Sequence, residues 1–132
     1  MSVDQEVLDV ATDLVSAFGR HDTDTYFSHF GADATFIFYN YPHTLTSRQH
    51  YRDLWEQWEA EGFHVLSCES THQAVQMVTP DCAVFTHHVY TRARVDGEII
   101  DSEERETIVF AQVLGRWIAV HEHLSAREQE AS

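Results

Sequence analysis

The chain has 132 residues, enough for one domain with its own core, and 43% apolar against 23% charged residues excludes a disordered segment. Eight basic residues, every one an arginine, stand against 22 acidic ones, for a formal net charge of −14. A surface this acidic releases no counterions from a nucleic-acid backbone and offers no polybasic face to anionic lipid, so both partners are excluded.

Between Val3 and Phe18 the apolar residues fall at 3, 7, 8, 11, 14, 15 and 18, a helical stripe that Gly19 can stop. A short second helix follows, capped by Asp22 or Thr23, burying Tyr26, Phe27 and Phe30 and ending at Gly31. Ala34 to Tyr39 is rich in β-formers and predicts a strand. After a loop containing Pro42, Thr46-Ser-Arg-Gln49 has the spacing of a capping box. The helix it opens carries Tyr51, Leu54, Trp55 and Trp58 on one face and ends near Gly62.

The period then changes. Phe63–Val78, Cys82–Val95, Glu98–Leu114 and Trp117–Leu124 are strand-like, separated by Thr79-Pro80-Asp81, Asp96-Gly97 and Gly115-Arg116. Asp-Gly between two β-runs is a strong hairpin signal, so these strands predict an antiparallel meander. At about 3.3 Å per residue the run from Glu98 would exceed about 50 Å if straight, so it must bend or break. The expected fold class is α+β: three N-terminal helices on a strongly curved antiparallel sheet, a cone-shaped half-barrel with an internal pocket.

No run approaches the about 18 apolar residues of a membrane span. The first residues, Met1 to Glu6, lack the basic and hydrophobic regions of a signal peptide. Cys68 and Cys82 have no CxxC spacing and read as reduced core thiols, which with the above makes a cytoplasmic location the expectation. Most of the ten histidines read as solvated groups that charge in mild acid.

Several stretches resemble one family. Phe18-Gly-Arg-His-Asp22, Tyr26-Phe-x-x-Phe30 and Asp33-Ala-Thr-Phe36 are similar to the start of nuclear transport factor two-like domains of the SnoaL-like group. Arg105-Glu-Thr-Ile-Val109 and Gly115-Arg-Trp-Ile-Ala-Val-His-Glu-His-Leu-Ser125 are similar to their end, so the resemblance spans nearly all of residues 1–132, read as one such domain. It implies the cystatin-like, ketosteroid isomerase-like fold. The superfamily uses its pocket for isomerisation, hydrolysis, cyclisation, dehydration or plain association, so the resemblance alone selects no activity.

Candidate site residues follow from strand alternation. Trp117, Ala119, His121, His123 and Ser125 share one face if the strand is regular. If that face lines the pocket, His123 and His121 are acid/base candidates, with Arg105 and Tyr39 orienting an oxygenated substrate. The alternative for the histidines is a structural role beside the core, and for Arg105 an internal ion pair with Glu103 or Glu104. Ser125, Trp55, Tyr51, Tyr41, His43, His87 and Glu103 are expected at the pocket, although Tyr51, Trp55 and Trp58 have the spacing of ordinary core packing. His121 and His123 could share a metal only with a third ligand such as Glu103 or His87, so no metal and no cofactor are expected. The iota-class carbonic anhydrases share the fold, but Glu122 and Leu124 interrupt their consecutive histidines. Asp and Glu are absent between Asp33 and Asp53, which removes the carboxylate base that ketosteroid isomerase-like members carry there. Asp101 to Glu104 reads as a solvated strand start.

The leading expectation is therefore a pocket for a small organic ligand, with cofactor-free isomerase, hydrolase, dehydratase or cyclase chemistry if it is an enzyme. The alternative is a non-catalytic association or ligand-sensing module, and a third reading is carbonic anhydrase-like activity. A homodimer through the sheet is expected in either of the first two.

Overall fold

The computed structural model describes residues 2–127. Helix α1 spans Val3–Gly19, α2 Thr23–Ser28 and α3 Arg48–Ala60; strand β1 is Phe30–Phe38, β2 His64–Thr79, β3 Cys82–Val95, β4 Glu98–Val113 and β5 Arg116–Ala126. The sheet order is β1-β5-β4-β3-β2. The four C-terminal strands form the expected antiparallel meander, while β1 joins the far edge parallel to β5.

Local chemistry explains the boundaries. Ser2 caps α1 and Asp22 caps α2 through side-chain oxygens that accept from Gln5 and Thr25. The cap of α3 is Ser47, one residue later than the Thr-x-x-Gln spacing suggests: its hydroxyl accepts from the His50 N–H at 3.0 Å. His50 Nδ1 in turn accepts from the Thr46 N–H, doing the work expected of Gln49. Gly19 is not the left-handed stop of α1. A Cβ there would sit 3.1 Å from Cys68 Cβ, so glycine allows α1 to approach β2 closely. The positive φ, 55°, belongs to His21, whose Nδ1 accepts from the Val65 N–H and whose Nε2 meets Glu59 at 2.8 Å. Gly31 likewise lies inside β1, with His29 capping α2.

Both predicted tight turns exist. Asp96-Gly97 has φ of 50° and 82°, and the last turn is Leu114-Gly115, at 52° and 76°. Two positive φ values in succession match the right-handed twist of a hairpin. The long strands accommodate curvature by register shifts, three of them along the β2–β3 pair. The helices close over the concave side. The core between them and the sheet holds Leu14, Phe27, Phe36, Trp55, Phe85, Ile108 and Phe110, each almost fully buried. Among the described residues, no helix is long and apolar enough to cross a membrane.

Candidate functional site

Alternation along β3 buries Ala83, Phe85, His87, Val89, Thr91 and Ala93 on the concave face. Their register partners put Ser102, Glu104, Glu106, Ile108 and Phe110 of β4 on the same side. On β5 the alternation breaks. Ala119 pairs with Phe110 and His121 with the next β4 residue, Val109, so Val120 is an extra residue. This bulge shifts the phase, and Glu122 and Leu124 turn inward opposite Ile108 and Glu106.

His121, His123 and Ser125 therefore leave the pocket wall for the convex face, a correction to the regular-strand reading. Arg105, paired with His88 and Ser125, is exposed there too. A shallow hollow on this convex side brings Arg105, His123 and Ser125 together with His72, His88 and Thr107. His121 Nδ1 meets Thr35 Oγ1 at 2.8 Å, and burial with the neighbouring His123 charge lowers its pKa. Glu103 also faces outward and pairs with Arg127 at 3.4 Å, leaving Arg105 outside the internal ion pair considered for it. The His121 and His123 rings stand 6.4 Å apart, and among the described residues no three potential ligands converge to hold a metal ion.

Between helices and sheet lies a cavity of about 310 Å³. Leu14, Phe18, Trp58, Phe63, Val89 and Ala93 form much of its apolar wall. Its polar groups are Tyr26, Tyr51, Asn40, Thr91, Ser102 and the carboxyls of Glu61, Glu104, Glu106 and Glu122. Of the expected pocket residues, Tyr51 lines the cavity. Trp55 is packed behind it, wholly buried, its indole N–H donating to Thr23 Oγ1. Tyr41 packs against the core from the loop after β1 and His43 is exposed beside it, so neither lines the cavity. Tyr39 is half-exposed and touches the cavity only through Glu104: its hydroxyl donates to Glu104 Oε2 at 2.8 Å and its pKa is pushed up to about 12 by burial and that contact. His87 stands behind the wall, its Nε2 2.7 Å from Glu106 Oε1 and its Nδ1 2.6 Å from Ser70 Oγ.

Proton-carrying groups follow one another from the cavity toward the surface. The Tyr51 and Tyr26 hydroxyls are 2.9 Å apart, and Tyr26, Glu106 and Glu122 line the same cavity, near enough for Tyr26 and Glu106 to act on the Glu122 carboxyl. Glu106 leads to His87, and His87 to Ser70, which accepts from the exposed Gln73 amide at 2.9 Å. Burial pushes both carboxyls upward. At Glu106 the hydrogen bonds from Glu122 and His87, with the charge on His87, outweigh it and hold the carboxyl below its usual range. Glu122 has no such cation; burial and the Glu106 charge raise it well above that range, so of the two carboxyls Glu122 is the one that favours its proton. Burial also raises Glu104. Glu122 is 3% exposed, and its Oε2 has no hydrogen-bond partner among the described residues.

The three carboxyls escaped the sequence reading, although their signal was present. Glu104 and Glu106 alternate in phase with Ile108 and Phe110, which places acids on an apolar face. Glu122 required knowledge of the bulge.

The family model of the SnoaL-like domain matches residues 7–127. The chain belongs to the SnoaL-like family. No curated protein matches it in sequence. Among solved structures, this SnoaL-like domain is similar to an NTF2-like protein of unknown function from Prochlorococcus marinus, with a TM-score of 0.81, 16% identity and coverage of 98% of this chain and 97% of that one. It is also similar to the CaMKII hub homology domain of Chlamydomonas reinhardtii, at TM-score 0.75, 24% identity and coverage of 97% and 100%. A ketosteroid isomerase-like protein from Erwinia carotovora atroseptica superposes at TM-score 0.77, 14% identity and coverage of 92% and 93%. Identities this low establish the SnoaL-like fold alone.

Proposed function

We propose that this SnoaL-like domain binds a small organic molecule in the cavity between helices and sheet, and that Glu122 exchanges a proton with it without a cofactor. The observation that carries this reading is a buried carboxyl, Glu122, lining the cavity together with Glu106, whose hydrogen bonds run through His87 to Ser70 toward the protein surface. A neutral acid facing an apolar cavity can donate to an oxygen or nitrogen of the ligand. The negative charge left behind is then shared with Glu106 and balanced by His87. Tyr26 and Tyr51, both raised well above the ordinary phenol range chiefly by burial, stay neutral and act as hydrogen-bond donors. Isomerisation, hydrolysis, dehydration and cyclisation all need such a proton transfer. A carboxylate base on the β1 exit plays no part, since Asn40 is the cavity residue of that segment.

An open cavity supports this reading over a purely associating module, for which a filled interior is expected. The two remain compatible at different surfaces, and we take self-association to use the convex sheet face.

The test is binding of a cavity-sized aromatic probe, 1-naphthalenemethanol, followed by fluorescence. Ala93→Phe, which fills the cavity from β3, is expected to weaken binding at least tenfold. Equal binding by the filled variant, or no binding by the parent protein, would overturn the pocket reading. On a substrate found by screening, Glu122→Gln should lower the rate by ~10²–10⁴, while His123→Ala, on the opposite face, changes it by less than about twofold.

A further inference from the structure

The cavity's charge is one-sided. Four of its lining side chains carry carboxyls, Glu61, Glu104, Glu106 and Glu122, and among the described residues no arginine lines it. Only His87, behind the wall, offsets any of them, and it is committed to Glu106. Glu104 is held by the neutral Tyr39 hydroxyl, and Glu122 keeps a buried oxygen without a partner. An acidic cluster is ordinarily relieved by solvent or by basic side chains. Here Glu61 is exposed at the cavity's edge, whereas Glu104 and Glu122 are buried beside its apolar volume.

A ligand's head group must answer that arrangement. A carboxylate or phosphate would add like charge to Glu104 and Glu106 in a water-poor site, which is prohibitive. A neutral alcohol or carbonyl can bond to Glu122 but leaves Glu104, held only by the neutral Tyr39 hydroxyl, without a counter-charge and further desolvated. An ammonium group supplies both the missing hydrogen-bond donors and the missing positive charge. We propose, building on the pocket reading above, that the ligand class is an apolar amine whose nitrogen pairs with Glu122 and Glu104 while its hydrocarbon body fills the wall of Phe18, Trp58 and Phe63.

The proton balance of binding follows. Before binding, the proton rests on the Glu122 carboxyl and the amine in solution is already an ammonium ion. On binding, Glu122 gives up its proton to become the counter-ion, and that proton leaves through Glu106, His87 and Ser70 to solvent. One proton is released for each ammonium ion bound, no bond to carbon changes, and nothing is oxidised. An alcohol of the same shape binds without releasing a proton.

Three isosteric probes test this: 1-naphthylmethylamine, 1-naphthalenemethanol and 1-naphthoic acid, titrated calorimetrically at neutral pH in phosphate and in Tris. The expected order is amine at least tenfold tighter than alcohol, with the acid weakest. The apparent heat of the amine alone should change between buffers as one released proton requires. Glu122→Gln should remove both the amine's advantage over the alcohol and the buffer dependence. Because a chain of net charge −14 attracts amines non-specifically, two checks locate the site: Ala93→Phe must abolish amine binding, and the alcohol must compete with the amine. Amine binding that survives cavity filling or is not displaced by the alcohol would overturn the inference. So would an alcohol that binds as tightly as the amine, and in that case the pocket itself stands. Failure of all three probes to bind overturns the pocket reading and this inference with it.

Discussion

Glu122 is held in a state that works against stability at neutral pH. Its carboxyl is raised in the folded protein relative to the unfolded chain, where a glutamate titrates near the ordinary value of 4.5. A raised acid contributes stability that is complete below that unfolded value. The contribution is lost as pH rises and the unfolded chain alone gives up its proton. Glu106 has the opposite sign: held low, it contributes above the unfolded value and loses that contribution as pH falls. Replacing Glu122 by Gln keeps a neutral donor beside Glu106 and deletes the alkaline loss. We expect Glu122→Gln to gain about 1–2 kcal/mol at pH 8, no gain at pH 4, and a flatter dependence between them, read from urea midpoints. A variant less stable than the parent at pH 8 would show that the acid is not held neutral. Such trading of stability for a poised group is what a ligand-binding carboxyl requires.

At the scale of elements, the sequence was informative wherever one residue sets one local conformation. The helical stripe from Val3, the Asp96-Gly97 turn and the break at Pro80 each act within a few residues, so helices and hairpins were legible. The inward set of β5 was not. Val120 inserts one residue through pairing with β4, and nothing in Ala119-Val-His marks it; the error carried His121, His123 and Ser125 to the wrong face together. Glycine roles show the same division. Gly62 was expected only as a helix end, yet it is also a contact point. Its φ is +95°, and a Cβ there would lie 3.0 Å from the Asp96 N and 3.1 Å from its Cα, backbone atoms of the β3–β4 turn. Gly97 has φ +82°, and a Cβ there would meet nothing within 4 Å. Gly97→Ala should therefore cost about 1 kcal/mol, the conformational term alone, and Gly62→Ala about 2–3 kcal/mol, because turn and helix end must also separate. Urea unfolding of the two variants measures the difference. Equal losses would mean that α3 and the hairpin turn do not constrain each other.

For the whole molecule the question is what covers the convex sheet. His88 and Arg105 pair across β3 and β4, His123 and Thr107 across β5 and β4, and the His72 ring stacks on His88 at 4.3 Å between centroids. Glu103 and Arg127, joined to each other, lie in the same patch. If a homodimer forms through the sheet, as we propose, its two-fold axis sets this patch against its own copy. Neutral imidazoles can then pack and exchange hydrogen bonds. Burial and the surrounding positive groups push His88 down, as burial and His123 do His121, so both resist charging at neutral pH. In mild acid the imidazoles charge and like charges meet across the axis. Falling net negative charge acts the other way, but those charges are spread over the surface and screened beyond about 8 Å at physiological salt. The local repulsion therefore wins. Sedimentation velocity should show a species of twice the 15.2 kDa chain mass at pH 7.5. Its dissociation constant should rise at least tenfold by pH 5.5, about 1.4 kcal/mol of repulsion. Arg105→Glu should also loosen it at pH 7.5 by adding acid beside Glu103. A dimer that tightens in acid would place the interface on another surface, and a monomer at every concentration would leave this face to a different partner.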